Sequence, residues 1–196
     1  MNKQKIKIQR ALLSVYDKTG IVELAESLNQ HGVEIISTGG TAKILGDADL
    51  QVTNISIYTG FPEIMDGRIK TINPLVEGGI LGLRDKHADE ARANNIKWID
   101  LVVCNLYPFS TVISQDDCNL MNAMDNVDIG GPTMIRSAAK NVGWVTVVVD
   151  PQDYLGIINE LDEFVKISFE TRKQLSEKAF GPVSYTHLTL PTSDLV

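Results

Sequence analysis

The sequence predicts a three-layer α/β domain on a parallel sheet, and three observations carry that expectation. Short apolar runs alternate with segments whose apolar residues recur at helical spacing. Strand followed by helix, several times over, calls for right-handed crossovers between parallel strands. The longest run, IDLVVCNL at 99–106, is almost wholly apolar, as a strand covered on both faces must be. With 196 residues, 43% of them hydrophobic and 22% charged, the chain can enclose one core of ordinary size.

The elements follow in order. ALLSV at 11–15 is the first strand, and GIVELAESLNQHG from Gly20 is a helix that stops at Gly32. VEIIS at 33–37 is the second strand, leading through a glycine turn into the short helix TAKILGDA, and VTNI at 52–55 is the third. After an irregular stretch, IDLVVCNL and then WVTVVV at 144–149 complete the set, with helices expected near Pro132 and after Pro151. Residues 181–196, GPVSYTHLTLPTSDLV, hold two prolines and β-branched residues that break the helical pattern, so the domain is expected to span 1–180 and to leave a tail outside the core.

Charge and composition exclude several classes. A net charge of −7 argues against nucleic acid and anionic membranes as partners, since both select a basic excess. Cys104 and Cys118 fit no metal spacing, and three histidines make a zinc site hard to assemble, so neither metal nor cofactor is expected. The amino terminus, MNKQKIKIQR, is basic but lacks a following apolar segment of signal or spanning length, which points to a cytoplasmic protein with reduced thiols.

Ligands of such sheets bind beyond the carboxyl ends of the strands, and the polar motifs fall there. After the first strand comes SVYDKTG, with Tyr16, Asp17, Lys18 and Thr19; after the second comes STGGT, with Thr38, Gly39, Gly40 and Thr41. Helix amides and close backbone approach make both plausible phosphate seats. Taken singly, Thr19 and Thr41 read equally well as helix caps and the glycines as turn formers. In GRIKTINP, Arg68 and Lys70 stand two positions apart, so in an extended chain both charges face one space. Cys104, Asn105 and Tyr107 close the fourth strand, and Asp128 precedes a second Gly-Gly and a helix that carries Lys140.

These motifs, SVYDKTG, STGGTAK, TGFPEIMDGRIKT, CNLYPF and DIGGPTMIRSAAKN, occur in an order that resembles the cyclohydrolase half of the bifunctional purine-biosynthesis enzyme that makes inosine monophosphate. The likeness runs from about Ala11 to Phe180. It implies a methylglyoxal-synthase-like fold, a purine ribonucleotide ligand, a homodimer in the full-length protein, and closure of 5-formamidoimidazole-4-carboxamide ribonucleotide to inosine monophosphate with loss of water. It further implies that residues 16–19 and 38–41 hold the phosphate, and that Arg68, Ile69, Lys70 and Thr71 face the base. Cys104 and Asn105 would line the base pocket by backbone or side chain, Asp128 and Ile129 would contact the carboxamide end, and Lys140, Lys70, Tyr107, Arg68 and Asp128 would carry the chemistry. The chain departs from the family at Tyr16, where a serine is usual, at Thr38, and at Asn73 and Glu77, where histidines are usual. The folate-dependent transformylase half has no counterpart in these residues. A sensor of a phosphorylated effector and methylglyoxal synthase itself are the alternatives; the second calls for histidine and aspartate groups in the site, and His31, His87 and His187 lie outside every motif.

Overall fold

The computed structural model describes residues 1–107, 109, 111, 114 and 119–184. Among them the strands are β1 (Ile6–Lys7), β2 (Arg10–Leu13), β3 (Glu34–Ser37), β4 (Thr53–Asn54), β5 (Leu101–Val103), β6 (Thr146–Val148) and β7 (Lys166–Ile167). Five form a parallel sheet in the order β4-β3-β2-β5-β6, with Leu13 opposite both Ser37 and Val103. β1 and β7 pair antiparallel to one side, Ile6 opposite Ile167. The expected strands are all present but shorter, trimmed at one end or both; after β2, β3 and β5 the chain leaves the ladder and lines a cavity.

The helices are α1 (Ile21–Gln30), α2 (Gly39–Asp47), α3 (Ile55–Thr59), α4 (Pro74–Leu81), α5 (Ala88–Ala93), α6 (Leu120–Asp125), α7 (Gly130–Lys140), α8 (Tyr154–Phe164) and α9 (Phe169–Ser184). Alternate strand residues point to opposite faces, and both faces are covered. Ala11, Leu13, Ile35 and Val103 pack with Leu24 and Leu28 of α1 and Ile157 and Leu161 of α8. Leu12, Ile36, Val102 and Val147 pack with Val76 and Ile80 of α4 and Ile135 and Ala138 of α7. The three layers that the alternation predicts are therefore present.

Two expectations change. Both Gly-Gly pairs form the first turn of a helix instead of preceding it, since α2 begins at Gly39 and α7 at Gly130. α9 does not break at residue 181: it runs through Pro182 to Ser184, held by Val183, which is 4% exposed and part of the core on the α4 and α7 face. Burial of Val183 offsets part of the cost of the amide that proline lacks. Residues 185–196 of the expected tail lie outside the described residues.

Asn73 and Glu77, the two departures on α4, have structural partners. The Asn73 side chain caps α4 by accepting from the Leu75 amide at 2.9 Å. Glu77 accepts from Ser137 Oγ at 2.7 Å, while its other oxygen is buried without a hydrogen-bond partner, and burial raises its pKa. A carboxyl whose folded pKa lies above the unfolded one holds its proton more tightly when folded, so stability falls as pH rises from the unfolded pKa through the folded one. Glu77→Gln should therefore raise the melting temperature at pH 8 and change it little at pH 4. Calorimetry at the two pH values checks this.

Candidate active site

The sheet order reverses between β2 and β5, and a crevice opens where their chains part. A cavity of about 600 Å³ occupies it. Its first wall comes from the exits of β2 and β3. Ser14 Oγ and Thr38 Oγ lie 2.8 Å apart, so Thr38 bonds its neighbour and leaves the first turn of α2 without a side-chain cap. The opening amides of a helix have no partner within it and carry its positive end. Gly39, at φ +44°, takes a conformation that favours glycine, and nothing lies within 4 Å of a Cβ built on Gly40. A ligand can approach this backbone closely. Thr41 is committed elsewhere: its buried hydroxyl accepts from the Val15 amide and donates to the Val15 carbonyl, both at 3.1 Å.

The second wall is the segment 64–71. Met65, Asp66 and Gly67 all have positive φ, and the turn they make brings Ile64 and Ile69 together as an isolated bridge. Arg68 and Lys70 thus sit on a tight turn and not in the extended chain that the sequence predicts, yet both line the cavity. The Arg68 guanidinium pairs with Asp125 of α6, both largely exposed. The Lys70 ammonium lies 3.9 Å from a Cβ built on Gly39 and 3.8 Å from one built on Gly67, beside the start of α2.

The exit of β5 and the start of α7 make the third wall. Cys104 is buried, and burial with the nearby Asp128 charge pushes its thiol pKa far up, so it contributes a neutral surface. Asn105 Oδ1 accepts from the Tyr16 and Asp17 amides at 2.6 and 2.8 Å, so its side chain clamps the first loop while the residue lines the cavity. Asp128 Oδ1 accepts from the Gly131 amide at 2.8 Å and caps α7. A Cβ on Gly131 would stand 2.5 Å from Asp128 and 2.6 Å from Leu106, so only glycine lets this turn close.

Of the predicted residues, the cavity gathers Tyr16, Lys18, Thr38, Gly39, Gly40, Thr41, Arg68, Ile69, Lys70, Thr71, Cys104, Asn105, Tyr107, Asp128 and Ile129. Three stand outside it. Asp17 accepts from the Thr19 amide at 2.9 Å; the Thr19 hydroxyl and then this amide lower its pKa, and the pair forms a local turn outside the lining. Lys140 is exposed at the far end of α7, about 15 Å from Gly130 by the helical rise. Sequence reasoning passed over Ser14 and Asp125. The first was legible as the last polar residue of its strand; the second, brought in by α6, leaves no local signal.

A second, wider cleft of about 820 Å³ lies beside the first, lined by Asp17, Asp150, Pro151, Lys178 and Pro182, and sharing Tyr16, Lys18 and Asn105 with it. It is the larger of the two, but its strongest cation is already spent. Lys178 bridges Asp150 and Asp153, each at 2.8 Å. The inner cavity holds the convergent donors and the open helix start, which makes it the candidate site.

Residues 20–133 match the family model of the MGS-like domain, and residues 138–187 match that of the AICARFT/IMPCHase bienzyme. The chain belongs to the MGS-like domain family. Its second match ties this MGS-like domain to the bienzyme of purine biosynthesis and runs past residue 180, where the resemblance was expected to stop. A solved structure titled "Crystal structure of ForH" is 35% identical, covers 88% of this chain and 89% of its own, and superposes with a TM-score of 0.79. No helix among the described residues is long and apolar enough to cross a membrane.

Proposed function

We propose that this MGS-like domain is an inosine monophosphate cyclohydrolase, closing the ring of 5-formamidoimidazole-4-carboxamide ribonucleotide with loss of water. The observation that carries the reading is the convergence of Lys70, Arg68, Tyr107 and Asp128 with the open start of α2 in one cavity at the strand-order reversal. The ribotide phosphate takes the α2 start at Gly39 and Gly40, with Lys18 nearby, and the base lies between the 68–71 turn and the start of α7. A phosphate there meets helix amides and a cation together.

The reaction needs little beyond position. The substrate's carboxamide nitrogen attacks its own formyl carbon, so fixing the two groups in contact supplies most of the barrier lowering. Negative charge develops on the formyl oxygen as the carbon becomes tetrahedral. The Lys70 ammonium and Tyr107 phenol stabilise it, and Arg68 adds a permanent charge. The amide nitrogen then loses a proton, and the formyl-derived hydroxyl gains one and departs as water. Asp128 stands where it can assist that transfer.

The proton shuttle itself falls to Lys140. Its place at the far end of α7 means that the reading brings this ammonium from a second copy of the chain, in keeping with the expected homodimer. Lys140→Ala should lower kcat by about 100-fold or more, the range of a lost general acid or base, with nucleotide affinity nearly unchanged. Turnover close to the parent's would remove Lys140 from the reaction. The activity itself is tested by incubating purified protein with the formamido ribotide, without folate or metal, and following the absorbance of inosine monophosphate. Formation of methylglyoxal from dihydroxyacetone phosphate would select the synthase instead, and neither product would select a sensor. Of the described histidines, His31 pairs with Asp162 and His87 accepts from the Leu83 amide, and neither lines the cavity.

A further inference from the structure

We propose that Tyr16 is a positioning residue: its ring, packed edge-on against Tyr107 with centroids 4.4 Å apart, holds the Tyr107 phenol toward the inner cavity and walls that cavity off from the outer cleft. The inference rests on the cyclohydrolase reading of the same site. It gives a task to one of the residues at which the chain departs from the motif it resembles.

Three observations support it. The two segments that carry the rings are clamped to one another. Asn105, two residues before Tyr107, accepts from the amides of Tyr16 and Asp17 at 2.6 and 2.8 Å and donates to the Asp17 carbonyl at 3.1 Å. Lys18 pins the same loop from below by donating to the carbonyls of Val15 and Tyr16. The backbone beneath Tyr16 is therefore fixed although its side chain stands at the surface, 53% exposed. Second, Tyr16 lines both cavities, together with Lys18 and Asn105, and so stands on their shared boundary. Third, the Tyr16 pKa is raised, through desolvation and then through the charge and hydroxyl of Tyr107, in keeping with the ring contact.

An edge-to-face aromatic contact favours the ring rotamers that make it, and an ordered side chain costs less to fix on binding. Tyr107 lies at the end of the β5 exit loop, where a free ring would sample several orientations. Holding it in one spares the substrate that ordering cost. A serine at position 16 would keep a hydroxyl but release the Tyr107 ring and join the two cavities.

A double-substitution cycle decides the matter. Tyr16→Ser should lower kcat about 5-fold to 10-fold while KM changes less than about 2-fold, and Tyr16→Phe, which keeps the ring, should recover most of the loss. In a Tyr107→Phe background, Tyr16→Ser should cost nothing more. Multiplying losses, or a fall confined to KM, would overturn the proposal. If Tyr107→Phe alone is as active as the parent, the reading of the site fails, and a readout without turnover still tests the pair: resonances of isotope-labelled tyrosine followed against pH. The Tyr16 phenol should then titrate at lower pH in Tyr107→Phe than in the parent. An unchanged titration would show that the rings are not coupled.

Discussion

Lys70→Ala is expected to lower kcat for ring closure by about 100-fold to 1000-fold, the loss of roughly 2.7–4 kcal/mol that follows removal of one preorganised donor to a developing oxyanion. The reason is geometric. Lys70 lines the cavity from a turn fixed by the Ile64 and Ile69 bridge, and its ammonium lies within 4 Å of where a Cβ on Gly39 or Gly67 would stand, so the two glycines leave space beside it. Arg68 cannot replace it, because its guanidinium is engaged by Asp125 at the rim. Lys70→Arg should rescue little, since a planar fork does not fit the space of a compact ammonium. Steady-state kinetics with the formamido ribotide check the value. A loss confined to KM would move Lys70 to the phosphate and leave Tyr107 and Arg68 alone with the oxyanion.

Arg172→Met is expected to destabilise the fold by about 3–5 kcal/mol, the range for leaving buried polar partners uncompensated. Arg172 is fully buried, and burial pushes its pKa down to about 10, so it remains a cation at neutral pH. Its charge is met by carbonyls. Nε donates to Val142 at 3.0 Å, Nη1 to Ile167 at 2.7 Å, and Nη2 to Gln4 at 2.9 Å and Gly143 at 3.4 Å. Val142 and Gly143 follow the carboxyl end of α7, where the helix dipole favours a cation. One side chain thus joins the amino-terminal segment, α7, β7 and α9. In a chain of this size each kcal/mol moves the melting temperature by about 2–4 °C, so a fall on the order of 10 °C is expected in calorimetry. Arg172→Lys should fail to restore the parent value, because an ammonium cannot span four carbonyls set around a fork. A shift of only a degree or two in Arg172→Met would show that the carbonyls find water instead.

The layered fold was legible because its signal is local and repeated. Alternating apolar runs mark β2, β3, β5 and β6 whatever surrounds them, and the fully apolar run that contains Leu101–Val103 announced cover on both faces. Element ends were less so. The helical start at the second Gly-Gly pair depends on what a Cβ would strike, such as Thr71 Oγ at 2.7 Å from one on Gly130, and that contact joins residues far apart in the chain. The extension of α9 through Pro182 depends in the same way on where Val183 is buried.

The candidate site was read at the level of residue type more than of role. The motifs named nearly every residue that lines the cavity, because ligands of parallel sheets gather where strands end. Roles were hidden wherever a side chain has a partner from another segment. Asn105 proved to be a clamp on the loop at Tyr16 and Asp17, Thr41 a tie to Val15, and Asp128 a cap of α7. Lys140 read as a neighbour of Asp128 in the motif, but the rise of α7 carries it away from the cavity.

The most direct test of the central claim is a crystal structure with inosine monophosphate bound. The account predicts the phosphate within hydrogen-bond distance of the Gly39 and Gly40 amides, and the base between the 68–71 turn and Asp128. Nucleotide found in the outer cleft beside Lys178, or on the surface with Lys70 in open solvent, would contradict it.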